Sequence, residues 1–220
     1  MKETLTMRET FIVLLLVLLS TTQALDAKNV DQRLPISDNR HFRGIPVTGK
    51  LPGEFQKLGV FQLGTHKLSE VVASYGAGKI FRTGGEGSSK AVCYRTTTDA
   101  RAIAVIFESG ALGGWETLTA ISVAPLIAVR DGERRCACTE KLPSSLAGIG
   151  QLLLGKSPAE IHAAVGVNPS FESKNAVEYN FQSVVTPKGG KPTYDILSGI
   201  FLGVTEEKIS SIQVYKVEAY

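Results

Sequence analysis

The residues of this chain best suited to chemistry are its three cysteines, Cys93, Cys136 and Cys138. Only Ala137 separates the last two, and Arg130, Arg134 and Arg135 precede them. Neighbouring guanidinium groups favour the thiolate, the form that attacks disulfides and binds metals. Cys136 and Cys138 therefore have a reading as a thiol redox or metal-binding pair. The competing reading is structural. In an oxidising compartment an odd cysteine count leaves one disulfide and one thiol. Cys93 would then bridge to Cys136 or Cys138, and closing a loop of about 45 residues contributes roughly 2–4 kcal/mol.

The other constellations carry less. Gly150 to Ser157 formally spells the phosphate-loop pattern G-x-x-x-x-G-K-[ST]. Such a loop needs a preceding strand and free backbone amides. Here its middle is Gln151 and three leucines, and the corresponding stretch Gly59 to Thr65 lacks the lysine. His41, His66 and His162 have no metal-ligand spacing. Glu108 and Glu116 flank a loop and could meet across a hairpin. No catalytic, cofactor-binding or metal residue is assigned. The surface candidate is Ser109 to Trp115, a glycine-rich loop carrying Leu112 and the only tryptophan. Trp115 and Leu112 are the candidate partner contacts, because exposed tryptophans anchor protein interfaces; the alternative is that Trp115 packs on a sheet edge.

These residues need a scaffold and a compartment. The 220 residues are 43% hydrophobic and 20% charged, a globular composition. A net charge of +3 without a basic cluster argues against nucleic-acid binding. Phe11 to Leu19 is wholly apolar, Lys2 and Arg8 precede it, and Thr22-Gln23-Ala24 follows. Residues 1–24 read as a signal peptide, too short in its apolar run to span a bilayer. The protein is expected to be exported, periplasmic or extracellular, with no transmembrane segment after cleavage. No N-glycosylation sequon occurs, since Pro169 spoils Asn168-Pro169-Ser170, and this fits a bacterial source. Residues 25–49, polar and aperiodic, read as an extended arm and solvated loop.

The scaffold contains an internal repeat. Lys50-Leu51-Pro52 through Gly64 recurs 91 residues later as Lys141-Leu142-Pro143 through Gly155. Phe55, Leu58 and Phe61 match Leu146, Ile149 and Leu152. Their spacing after a proline predicts a helix in each copy. A second helix follows over Thr65 to Tyr75, and its counterpart opens with the capping box Ser157-Pro158-Ala159-Glu160 and closes at Gly166. Strands are expected over Lys79–Thr83, Lys90–Thr97, Ala102–Glu108 and Glu116–Val129. In the second copy Ala176–Tyr179 matches Ala91–Tyr94, Ile200-Phe201 matches Ile106-Phe107, and Ile212 and Val214 match Ile121 and Val123.

The expected fold is thus α+β: two tandem repeats, residues 50–130 and 141–220, joined by a cysteine-containing linker at 131–140. Each repeat is a helical hairpin packed on an antiparallel sheet of three or four strands. Leu63-Gly64 with Glu70 and Gly76, and Leu154-Gly155 with Glu160 and Gly166, make the chain resemble the domain of SmpA/BamE-type envelope proteins. The duplication is similar to the β-lactamase inhibitor protein architecture. This resemblance implies a non-enzymatic module that binds another protein, as an enzyme inhibitor or an accessory of envelope assembly, without a cofactor.

Overall fold

The computed structural model describes residues 43–83, 89–96, 102–110, 116–129, 131–143, 146–187, 189 and 193–219. All belong to one compact unit, Arg33–Tyr220. In chain order the first half contains β1 (Val47–Thr48), a 3-10 turn (Gly53–Gln56), β2 (Lys57–Leu58), β3 (Phe61–Gln62), α1 (Leu68–Tyr75), β4 (Ile80–Thr83), β5 (Ser89–Arg95), β6 (Ile103–Ser109) and β7 (Leu118–Pro125). A second 3-10 turn (Leu126–Ala128) and α2 (Gly132–Arg135) lead to β8 (Ala137–Cys138). Then come β9 (Gly148–Ile149), β10 (Leu152–Leu153), α3 (Pro158–Val165), β11 (Phe171–Ser173), β12 (Ala176–Val185), β13 (Tyr194–Thr205) and β14 (Lys208–Ala219).

Two glycines decide the local structure of the repeat. Gly59 and Gly150 occupy the same place in the two copies, with φ of 59° and 58°. That left-handed conformation reverses the chain and cannot continue a right-handed helix. The helix expected after Pro52 is therefore replaced by the 3-10 turn and the β2–β3 hairpin, and in the second copy by β9–β10. The two hairpins close on matched bonds. Leu63 N–H donates to the Gln56 carbonyl at 2.9 Å, and Leu154 N–H to that of Ala147 at 2.8 Å. Gly64 N–H donates to Leu118 and Gly155 N–H to Ile209, both at 2.8 Å. Only one eight-residue helix then follows in each copy. Each opens with a glutamate that accepts from the cap backbone: Glu70 from Lys67 N–H at 2.7 Å and Glu160 from Ser157 N–H at 2.9 Å. Gly76 and Gly166 end them.

The strands do not form two sheets. Apart from the β2–β3 and β9–β10 hairpins, they form one sheet of ten strands, with six long ones in the order β12-β13-β14-β7-β6-β5. The outer strand at each end carries two short neighbours. Strand β12 pairs with β1 in parallel and with β11 in antiparallel fashion, and β5 pairs in parallel with β8 and antiparallel with β4. The expected α+β fold of two αα-β repeats, each with its own small sheet, is therefore incorrect; the described chain is mostly β and its sheet is mixed and continuous. The reason is physical. The last strands of the two halves, β7 and β14, pair with each other from Ala120↔Tyr215 to Val123↔Ile212, so neither half keeps an open edge there.

One of the sequence matches also shifts. Ile200 pairs with Val214 and Leu202 with Ile212, just as Val105 pairs with Val123 and Phe107 with Ile121. Ile200-Phe201 thus corresponds to Val105-Ile106, one residue from the match read off the sequence. A slip of one residue exchanges the faces of a strand. The corrected register puts Val92, Tyr94, Val105, Phe107, Ile121 and Val123, and likewise Val177, Tyr179, Ile200, Leu202, Ile212 and Val214, on the helix side of the sheet. There they pack with Phe55, Leu63, Leu68, Ile149, Leu152 and Ile161 from the hairpins and helices. Full burial of such side chains stabilises by roughly 1.5–3 kcal/mol each. On the outer face a smaller cluster joins Ala91, Cys93, Ala104 and Ile106 to Leu126 and Val129, which follow β7, and to Cys136 of the linker.

Candidate functional site

The alternation that turns Val177 and Tyr179 toward the helices turns Glu178 and Asn180 to the outer face. Both are buried, at 1% and 0% exposure. A charge in that position needs a partner, because isolating it from water is costly. The partner arrives from the arm. Arg43 donates from its backbone N–H to Glu178 Oε2 at 3.0 Å and from Nε to Oε1 at 2.6 Å, and its Nη2 lies 2.5 Å from Oε1. The guanidinium also sits 3.8 Å from the centre of the Phe171 ring. Asn180 Nδ2 donates to the Arg43 carbonyl at 2.6 Å, and Tyr215 donates its hydroxyl to Asn180 Oδ1 at 2.5 Å. Burial, then the Glu178 carboxylate, pushes the Tyr215 phenol well above its ordinary range. Tyr215 reaches Asn180 across Gly199, where a side chain would collide with the phenol. Arg43, itself partly exposed, is thus anchored to buried Glu178 and Asn180, which corrects the reading of its stretch as a solvated loop.

Glu108 lies on the same outer face, in the row Ala91–Glu108–Ala120. It is 1% exposed and its Oε1 has no hydrogen-bond partner. Desolvation pushes its carboxyl up to about 8. Ser122, diagonal to it on β7, is also 1% exposed with an unpartnered Oγ. Glu116 does not meet Glu108; it pairs with Lys90 at 2.9 Å.

Cys93 and Cys136 form a disulfide with Cα atoms 4.4 Å apart, and Cys138 is an exposed free thiol in register with Arg95. The cysteine that joins Cys93 is therefore Cys136, and the pair Cys136–Cys138 does not stand as two thiols. Trp115 and Leu112 lie outside the described residues, as do residues 1–42, which include His41 and the stretch expected to be a signal peptide.

The remaining motifs are engaged locally. In the phosphate-loop-like stretch, the amides of Leu154, Gly155 and Lys156 donate to carbonyls of Ala147, Ile209 and Leu153, so they are not free to cradle an anion. His66 Nδ1 accepts from Gln62 N–H at 3.1 Å. His162 Nδ1 contacts the Tyr179 hydroxyl and its Nε2 is 3.5 Å from Glu172 Oε1. That carboxylate–imidazole–phenol series ends on a fully buried tyrosine whose proton is held more tightly than usual, by burial first and then by Glu172. It fastens α3 to the sheet. Among the described residues no group of three or more His, Cys, Asp or Glu could hold a metal ion, and no helix is long and apolar enough to cross a membrane.

Sequence reasoning missed Arg43, Asn180 and Tyr215 and gave Glu178 no role. The available signal was Glu178 itself, a charge inside the strand run Ala176–Phe181. No family model, curated protein or solved structure matches the chain.

Proposed function

We propose that this is an exported, non-enzymatic protein that acts by binding another protein, as an inhibitor of a secreted enzyme or an accessory of envelope assembly. The observation that carries this reading is the engagement of its reactive groups. Cys136 is committed to Cys93, which removes one of the two thiols that a redox or metal centre at Cys136 and Cys138 requires. Glu178, Arg43, His162 and Tyr179 are likewise used to tie segments to the sheet. A buried disulfide also suits an oxidising compartment outside the cytoplasm. Recognition then falls to the loops around the sheet, with Leu112 and Trp115 as the proposed anchors.

The test is capture of a partner from a cell-envelope and secreted fraction on the immobilised full chain, beside the Trp115→Ala variant. The expected result is one specific protein retained by the native chain and weakened by the substitution. Retention unchanged by Trp115→Ala removes the loop from the proposal. Failure to retain any specific protein counts against the whole class.

A further inference from the structure

The two halves exchange their leading segments. Strand β8, which leads into the second half, pairs with β5 of the first, and β1, which leads into the first half, pairs with β12 of the second. Each exchange is fastened at a corresponding position, since Cys93 and Glu178 match in the repeat. The linker is fastened to Cys93 by a disulfide, and the arm to Glu178 only by the Arg43 ion pair and hydrogen bonds. One strap is covalently closed and the other is releasable.

The groove under the releasable strap is well defined. Its floor is Glu178, its wall Phe171, and its rail the edge of β12, which pairs with Val47 and Thr48 and accepts Gly49 N–H at the Gln182 carbonyl at 2.9 Å. Gly44, at φ 76°, runs so close to the Ser170 carbonyl that a side chain would overlap it. These features select an extended segment with arginine, glycine next, and a β-branched residue at the fifth position. From this geometry we propose that the β12 edge is a docking groove for the arm of a second copy of this chain, so that two copies exchange residues 43–49 and dimerise. The arm of another copy matches the groove by construction. The arm and groove already belong to different halves, so exchange in trans makes the same contacts as in cis. The connection from Gly49 to buried Leu51 is short, and short hinges favour swapping over refitting in cis.

A labelled peptide spanning residues 43–49 serves as the probe, with binding read by fluorescence anisotropy. The full-length Arg43→Glu chain, whose own arm keeps its backbone pairing but loses the ion pair and sets a like charge against Glu178, is expected to bind it. The Arg43→Glu/Glu178→Gln chain should bind about 30-fold more weakly, the scale for losing one partner of a buried charge pair. Equal binding by the two chains, or binding by neither, overturns the proposal. In case Arg43→Glu does not fold, the native chain refolded at high concentration is read by native mass spectrometry. A dimer that disappears in Glu178→Gln supports arm exchange. Monomer alone, or a dimer indifferent to Glu178→Gln, refutes it.

Discussion

Ser122 of β7 and Gln213 of β14 are the same position of the internal repeat, 91 residues apart, and they face each other directly across the middle of the sheet. The neighbouring pairs Ile121↔Val214 and Val123↔Ile212 exchange equivalent residues about this point. The two halves are therefore related by an approximate two-fold axis through the Ser122–Gln213 pair. A position on such an axis must suit both halves at once. Both residues are buried there, at 1% and 4% exposure.

Ser122→Ala is expected to raise stability. The hydroxyl is buried without a partner, and an unsatisfied buried polar group costs about 1–3 kcal/mol. A gain of about 1 kcal/mol in urea unfolding, with an unchanged m-value, is the predicted result. A loss of stability would place an unrecognised partner on Ser122.

Stability should decline as the pH rises from 4.5 to about 8. The folded state holds the Glu108 proton up to about 8, while the unfolded chain releases it near 4.5. A raised folded value means that the contribution of this group is full below the unfolded value and is lost progressively as pH rises to the folded one. The whole span is on the order of 5 kcal/mol. Glu108→Gln should flatten this slope between those values in pH-dependent denaturation, and an unchanged profile would remove Glu108 as its source.

The Cys93–Cys136 bridge should leave a single alkylatable thiol in the native chain, at Cys138. Mass spectrometry after iodoacetamide treatment counts it. The Cys93→Ala/Cys136→Ala chain is expected to lose about 2–4 kcal/mol, because the bridge closes a long loop in the unfolded state. Two further native thiols would restore the redox reading.

Gly199→Ala should cost about 1–3 kcal/mol, the range for forcing atoms into a packed site. Tyr215 crosses this glycine to reach Asn180, and the added methyl lifts the ring off that path. Pairing with Tyr215→Phe gives the diagnostic. Once the hydroxyl and its bond to Asn180 are gone, Gly199→Ala should cost less, though not nothing, because the methyl still meets the Tyr215 ring and the Tyr179 carbonyl; full additivity would deny the link.

Much of the strand pattern was legible. Strands β5, β6 and β7 lie within two residues of the predicted starts, and within four of the ends, because apolar runs rich in β-branched residues mark strands buried on both faces. Helix α3 was legible from Ser157-Pro158-Ala159-Glu160, whose capping bonds are local. The first element of each repeat was not. Phe55, Leu58 and Phe61 recur at three-residue spacing, which fits a helix, and the same spacing buries them from a 3-10 turn and a hairpin once Gly59 takes a left-handed φ.

What the order of residues determined by itself was local: the repeat, its helix caps, its turn glycines and the strand-forming stretches, each set by neighbours a few positions away. Tertiary structure alone decided that β7 and β14 join the halves into one sheet, that Cys93 meets Cys136, and that Arg43 reaches Glu178 from 135 residues away. Those pairings rest on which edges and buried charges remain unsatisfied after the local elements form, and that deficit exists only once the chain is assembled.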